Sequence, residues 1–243
     1  RTRVIHIDVD PAEIGKNMST NIPLVGDIKV IFNQILALSP KADSEEWLAL
    51  VRRRRSADIA HSPVCRPRSV SPVSLMRALG ERLNPNACIC VDVGQNQIWA
   101  AKHLILNGGR FLTTGGLGTM GYSLPAALGV KVADPDRQTV VICGDGSFQM
   151  FLNELSTMNT LKADVKIVMV QNGVLGLVHE ILRTSYSGPF GVDLDTPPDY
   201  ETLAQAYGVG YGTVCRDGDL AQAIDHMLAH EGSYLLSCAV SPD

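Results

Sequence analysis

Aromatic side chains are scarce in this sequence, at 5% of 243 residues. That scarcity argues against an aromatic-packed β-sandwich; together with 22 glycines it favours an α/β protein with many tight turns. A basic excess is also missing. The formal net charge is −4, which excludes a globally basic surface for nucleic acid. No apolar run reaches the ~18–20 residues that a membrane span requires, so no membrane partner is expected. No charged stretch leads into an apolar one in the manner of a signal peptide. The first residue is Arg1, not Met, and apolar Val4–Asp10 follows at once. A natural start further upstream is therefore expected. The six cysteines, Cys65, Cys88, Cys90, Cys143, Cys215 and Cys238, lack zinc-type spacing, because Cys88-Ile89-Cys90 has no second pair. On a strand Cys88 and Cys90 would face the same side as small core residues. The expected setting is reducing and cytoplasmic. Internal repeats and low-complexity segments are absent as well.

What is present has a globular balance, with 45% hydrophobic and 19% charged residues. Arg3–Asp10 reads as a strand ending in acids, and Pro11–Gly15 as a helical turn closed by glycine. Asn21–Gly26 is a second short strand, and Asp27 caps a helix running to about Leu38. This stretch, residues 1–38, reads as the end of an α/β domain too short to fold alone. Residues 39–70 read as a linker. They hold one or two helical turns at Glu45–Val51, the run Arg52-Arg53-Arg54-Arg55, and Pro63 and Pro67. The arginine run reads as a solvated linker helix, with a nucleic-acid or lipid patch as the alternative.

From residue 71 to 243 helix and strand alternate. Expected strands lie at Ala87–Val93, Thr139–Cys143, Val165–Val170, Tyr211–Val214 and Tyr234–Val240. Expected helices lie at Ser74–Leu83, Ile98–Leu106, Tyr122–Val132, Phe148–Leu161, Tyr200–Tyr207 and Asp219–Ala229. Such alternation predicts a parallel sheet with helices on both faces.

Gly116-Leu117-Gly118-Thr119-Met120-Gly121 matches G-x-G-x-x-G, which taken alone suggests a nicotinamide or flavin fold. That fingerprint wants a strand just before it and an acid ending the next strand. Here Arg110–Thr114 is a short, poor strand, and Asp134 and Asp136 precede the following strand instead. The stronger signal is Gly144-Asp145-Gly146-Ser147, where one strand becomes a helix, with Gln171-Asn172 ending the next strand. Asp145 and Asn172 lie 27 positions apart. A right-handed strand–helix–strand unit brings both to the carboxyl edge of the sheet. A carboxylate beside an amide oxygen is a hard oxygen set, suited to Mg²⁺ or Ca²⁺ with substrate phosphates. The flanking glycines let backbone approach a phosphate, and Ser147 with the following helix start supplies donors. The purely structural alternative makes Asp145 an N-cap and Asn172 a turn residue.

These residues resemble the thiamine-diphosphate signature, which opens Gly-Asp-Gly and closes in Asn-Asn. Gln171 replaces the first Asn, and Asn172 retains the ligand position. Asp92-Val-Gly-Gln95-Asn96-Gln-Ile-Trp99, Gly115–Ala127 and Ile5–Asn17 with Gly26-Asp27 resemble the acetolactate synthase large-subunit family. The resemblance implies the diphosphate-binding domain of the thiamine-diphosphate fold at 71–243, preceded by the end of a Rossmann-like, FAD-holding central domain. It implies that Asp145, Asn172 and the Val174 carbonyl hold Mg²⁺. Gly94, Gln95, Gly144, Gly146 and Ser147 would face the diphosphate, with Leu175, Gly176 and Leu177 completing the cofactor site. Met120 would wedge beneath the thiazolium and Gly118 lie against the aminopyrimidine. From the residues alone, Met120 is equally a core side chain. Asp8, Val9, Asp27 and Ile28 would touch FAD, where a buried cap is the alternative for Asp8.

The implied substrates are 2-oxo acids such as pyruvate, joined after decarboxylation in an assembly that is a homodimer or homotetramer. In this family a glutamate from the N-terminal pyrimidine-binding domain of the neighbouring subunit protonates the pyrimidine. The catalytic glutamate is expected to be absent from this chain, whose glutamates are Glu13, Glu45, Glu46, Glu81, Glu154, Glu180, Glu201 and Glu231. His179, Glu180 and Ile181 would lie toward the substrate, or face solvent from a helix. Biosynthetic members place a Trp where Ile181 stands, so a 2-oxobutyrate preference does not carry over. A 2-oxo acid decarboxylase of the same superfamily, a nicotinamide oxidoreductase and a non-catalytic cofactor scaffold are the competing readings.

Overall fold

A computed structural model describes residues 2–38, 44–60 and 67–241. Two compact units emerge, spanning residues 1–61 and 62–243. In the first, β1 (Ile5–Asp8) runs parallel to β2 (Ile22–Val25), with Asp8 opposite Val25. Helix α1 (Ile28–Ala37) follows, and Asp27 caps it by accepting from Val30 N at 3.1 Å. None of the described side chains in this unit is buried. Two strands and a helix cannot enclose a core. Helix α2 (Glu45–Ala60) is longer than the one or two turns expected at 45–51. The arginine run continues it because Arg is a good helix former, and Arg52, Arg53 and Arg54 are exposed. Of the rest of the expected linker, 39–43 and 61–66 lie outside the described residues, and Val70 is buried in the second unit, bridging Val240.

The second unit is a six-stranded, all-parallel sheet in the order β4-β3-β5-β6-β8-β7. In chain order it contains α3 (Pro72–Gly80), β3 (Cys88–Val91), α4 (Gln95–His103), β4 (Arg110–Thr113), α5 (Ser123–Ala133) and β5 (Thr139–Gly144). Then come α6 (Asp145–Met150), α7 (Glu154–Thr160), β6 (Val165–Gln171), α8 (Gly176–Ser185), α9 (Tyr200–Ala206), β7 (Gly210–Val214), α10 (Leu220–Ala229) and β8 (Tyr234–Ala239).

Parallel strands covered on both faces read as continuous apolar runs, and β3, β5 and β6 are buried along nearly their whole length. Alternate residues serve alternate cores. Ile89, Val91, Val140, Ile142, Val168 and Val170 meet α3, α4 and α10. Cys88, Cys90, Val141, Cys143, Ile167 and Met169 meet α5, α6, α7 and α9, where Phe148, Phe151 and Met158 are fully buried. Cys88 and Cys90 thus share one core face, as their spacing on a strand requires.

The helix expected at Phe148–Leu161 is a correction. It begins three residues earlier, at Asp145, and breaks at residues 151–153 into α6 and α7. Asp145 opens the helix instead of preceding it.

Candidate cofactor site

The chain leaves β3 toward β4 on one side and returns to β5 on the other side of β3. After β3, α4 packs on the first face; after β5, α6 packs on the second. The carboxyl ends of β3 and β5 therefore open a crevice between divergent helices, the position where open α/β sheets bind ligands. A cavity of about 200 Å³ occupies it and extends to β6. Its lining includes every residue expected there for the metal and diphosphate: Gly94, Gln95, Gly144, Asp145, Gly146, Ser147, Asn172 and Val174. Gly118, Met120, Leu175, Gly176 and Leu177 line it too.

Asp145 is 1% exposed. Its Oδ2 accepts from Gly173 N at 2.8 Å and its Oδ1 from Gly146 N at 3.1 Å. Burial pushes its carboxyl above the usual carboxylate range, and these N–H bonds draw it only partly back. A cation at the carboxylate would favour the charged form outright. Gly173, at φ +72°, turns the chain sharply after β6 and aims its N–H at Asp145. Asn172 Oδ1 accepts from Val174 N at 3.2 Å, and its Nδ2 donates to Gln95 Oε1 at 3.3 Å.

A feature the sequence reading missed holds this turn. Residues 192–194 pair with 173–175 as an isolated antiparallel bridge, through Leu175 N to Val192 O and Leu194 N to Gly173 O, both at 2.8 Å. Val174 lies opposite Asp193, in the position whose own N–H and C=O point away from the partner segment. Its carbonyl thus lies on the side of Asn172. Asp145, Asn172 and Val174 line the same cavity, and a carboxylate, an amide oxygen and a backbone carbonyl are the ligand types that a hard divalent cation takes. Among the described residues no three His, Cys, Asp or Glu side chains cluster as metal ligands.

The cradle beside this set is built from missing side chains. A Cβ on Gly146 would fall 2.7 Å from Leu175 Cδ2 and 3.3 Å from Met120 Cε. One on Gly176 would collide with Gln95 Oε1. The absent side chains let Leu175 and Met120 close over Gly146, and Gln95 over Gly176.

The model of the thiamine pyrophosphate enzyme C-terminal TPP binding domain matches residues 92–238. The chain belongs to this family. Curated relatives of this thiamine pyrophosphate enzyme domain include the acetolactate synthase large subunit of Lactococcus lactis subsp. lactis (strain IL1403), 34% identical over 85% of this chain and 36% of that protein. Acetolactate synthase of Arthrospira platensis is 36% identical over 99% of this chain and 43% of its own length. That of Mycobacterium leprae (strain TN) is 36% identical over 93% and 38%. The chain spans about two-fifths of the length of these relatives.

Not every expected site residue of the thiamine pyrophosphate enzyme domain meets the cavity. His179, Glu180 and Ile181 ride on α8 beyond its lining, and Ile181 is 49% exposed. Glu180 reaches the site indirectly, accepting from Gln95 Nε2 at 3.4 Å. Among the described residues no glutamate lines the cavity. Asp8, Val9, Asp27 and Ile28 belong to the first unit, together at the carboxyl edge of its two strands. There Asp8 Oδ1 accepts from Asp10 N at 2.9 Å and Asp27 is spent as the α1 cap. Val93, Asn96, Trp99, Val170 and Val178 also line the cavity, although the sequence alone assigns them no site role. Asn96 was legible in principle, being the second residue of a helix that opens directly on Gly94.

Proposed function

We propose that this chain is the diphosphate- and cation-binding part of a thiamine-diphosphate-dependent carboligase of acetolactate synthase type, converting two pyruvates to 2-acetolactate and CO₂. The observation that carries the reading is that Asp145, Asn172 and Val174 line one glycine-lined crevice, with Gly173 N donating to the Asp145 carboxylate and Val174 N to the Asn172 amide. That these relatives are acetolactate synthases supports the carboligase over other thiamine enzymes.

In this reading Asp145, Asn172 and Val174 hold Mg²⁺. Gly94, Gln95, Gly146 and Ser147 seat the diphosphate, and Met120 and Gly118 support the rings. When bound, thiamine diphosphate would supply a nucleophilic carbon and a ring that acts as electron sink for decarboxylation of a 2-oxo acid. The residues of this chain bind and orient. Buried Asp145 charges fully once the cation meets it, and the apolar side chains of Leu175, Leu177 and Val178 shield the crevice from water. Asp8, Val9, Asp27 and Ile28 form the FAD edge of a central domain ending near residue 38, with the linker at 39–70 and the cofactor domain at 71–243. The proton-moving glutamate comes from a pyrimidine-binding domain outside this chain, in a homodimer or homotetramer. Buried free thiols at Cys88, Cys90, Cys143 and Cys238 suit a reducing cytoplasm.

The test is product analysis of the full-length protein given pyruvate, thiamine diphosphate and Mg²⁺. Acetolactate is expected. Acetaldehyde alone would assign a decarboxylase, and no cofactor-dependent turnover would overturn the reading.

A further inference from the structure

The glycine loop that carries Gly118 and Met120 into the site has little to hold it along its length. Gly115 and Gly116 face open space and Leu117 is 96% exposed. Its two ends are fixed differently. At the start, the Thr113 hydroxyl donates to Val91 O at 2.9 Å and accepts from Gln97 Nε2 at 2.8 Å. At the end stands Asp92, fully buried at the exit of β3. Its Oδ1 accepts from Gly121 N at 3.0 Å and Val93 N at 3.2 Å. Its Oδ2 accepts from Ser123 N at 2.9 Å and the Ser123 hydroxyl at 2.7 Å.

We propose that Asp92 is a positioning residue for the cofactor: with Ser123 it clamps the end of the glycine loop, and so fixes Met120 over Gly146. This rests on the thiamine-diphosphate reading of the crevice. Three observations carry it. The donors are three backbone N–H groups and one hydroxyl, an arrangement only a carboxylate can satisfy. An Asn in the same place would turn an NH₂ toward an N–H donor. Second, the clamp grips the residues on either side of Tyr122, immediately after Met120, whose Cε lies 3.3 Å from where a Gly146 Cβ would stand. Movement of Gly121 is therefore movement of Met120. Third, Asp92 joins the loop to the floor of the site. Its N–H donates to Ile142 O of β5 at 2.8 Å, two residues before Gly144, and its carbonyl accepts from Asn96 Nδ2 at 2.8 Å. Ser123 also begins α5, where a negative charge is favoured by the helix dipole.

The test compares two probes on the full-length protein by calorimetry, each with Mg²⁺: thiamine diphosphate and inorganic pyrophosphate. Pyrophosphate meets only the floor, whereas thiamine diphosphate also meets the loop. Ser123→Ala removes one donor and leaves the backbone bonds. It is expected to weaken thiamine diphosphate by about tenfold, the worth of one hydrogen bond to a charged group, and to leave pyrophosphate unchanged. Asp92→Asn is expected to act in the same sense and more strongly, with a lowered melting temperature. If Ser123→Ala binds both probes as wild type does, or loses both equally, the proposal is overturned, since the residue would then be neutral or merely structural. A wild-type protein that bound the two probes equally would overturn the thiamine reading itself, and the clamp's role with it.

Discussion

Residues 1–61 and 62–243 use the same local grammar and reach opposite results. Both pair strands in parallel, and both begin helices with acids at strand ends. Asp27 caps α1 as correctly as Asp199 caps α9, where Asp199 accepts from the N–H groups of Glu201 and Thr202 at 3.1 Å. Yet α9 buries Tyr200 and Ala204, while on α1 Ile28, Val30, Phe32 and Leu36 stand 47–66% exposed. The difference is the number of strands. Six strands let each central residue be covered from two sides, whereas two strands leave every side chain at an edge. Local chemistry forms an element; breadth of sheet decides whether it stabilises anything. The same contrast separates the acids. Asp8 and Asp27 are consumed by neighbouring backbone within a few residues. Asp145 receives its bond from Gly173, on the next strand's exit, and lies buried at a crevice. Long-range placement sets Asp145 apart from acids held only by their neighbouring backbone.

The largest effect should come from testing that contrast directly. Phe148→Ala empties a fully buried position packed edge-on against Phe151 and Tyr200. It should cost about 3–5 kcal/mol in urea unfolding of the chain. Phe32→Ala, at 47% exposure, should cost less than about 1 kcal/mol. A Phe32 cost near that of Phe148 would break the comparison, showing the first unit packed beneath something that these residues do not supply.

Next in size is ligand-linked stability. Saturation with Mg²⁺ and thiamine diphosphate at about a hundred times Kd should stabilise the wild type by about 2.7 kcal/mol. That corresponds to a melting rise of about 5–10 °C. Asp145→Ala should abolish the rise, because the diphosphate loses its bridging cation. Asn172→Ala should reduce it less, since the carboxylate remains. Scanning calorimetry with and without ligand decides it. A full shift in Asp145→Ala would return Asp145 to the class of caps, alongside Asp27.

Much of the second unit was legible because parallel strands declare themselves as apolar runs, and the site because Asp145 and Asn172 end adjacent strands. What escaped had no local signal. The break at residues 151–153 contains neither Gly nor Pro. The bridge from 173–175 to 192–194 is a tertiary contact between two loops. Helix α8 follows the Gly173 turn without a capping side chain, so nothing in the sequence marks its start. The extent of α2 was underestimated because its arginines carry helix propensity but no apolar periodicity. Asp92 stands in a stretch that carries the family resemblance, but its work depends on the fold bringing Gly121 and Ser123 back to it.

A smaller effect is expected at the cradle. Gly146→Ala places a methyl 2.7 Å from Leu175 Cδ2, the mobile end of a side chain, so the fold should lose little. The displaced Leu175 and Met120 would narrow the diphosphate seat. Cofactor affinity should fall by about tenfold, in the range of a modest overpacking penalty. Calorimetric titration with thiamine diphosphate measures it, and an unchanged affinity would show the cradle to be wider than its backbone implies.

The smallest effect should be Ile181→Trp. The resemblance to biosynthetic acetolactate synthases sets a Trp at this position, which argues for a role in choosing the second 2-oxo acid. The geometry moderates that expectation. Ile181 is half exposed on α8, one position beyond Glu180, whose carboxylate touches the site only through Gln95. Its side chain is outside the crevice lining, which ends at Val178. Even inside an apolar pocket, a methylene-scale change shifts selectivity by only about 1–3 kcal/mol. From a partly solvated position the shift should sit at the bottom of that range. The full-length protein, offered pyruvate and 2-oxobutyrate in competition, should change its product ratio by less than about tenfold on Ile181→Trp. A larger change would mean that α8 turns this face toward the acceptor once the rest of the assembly is in place. The position would then belong with Asp145 on the long-range side of the comparison, and not with the exposed residues of the first unit.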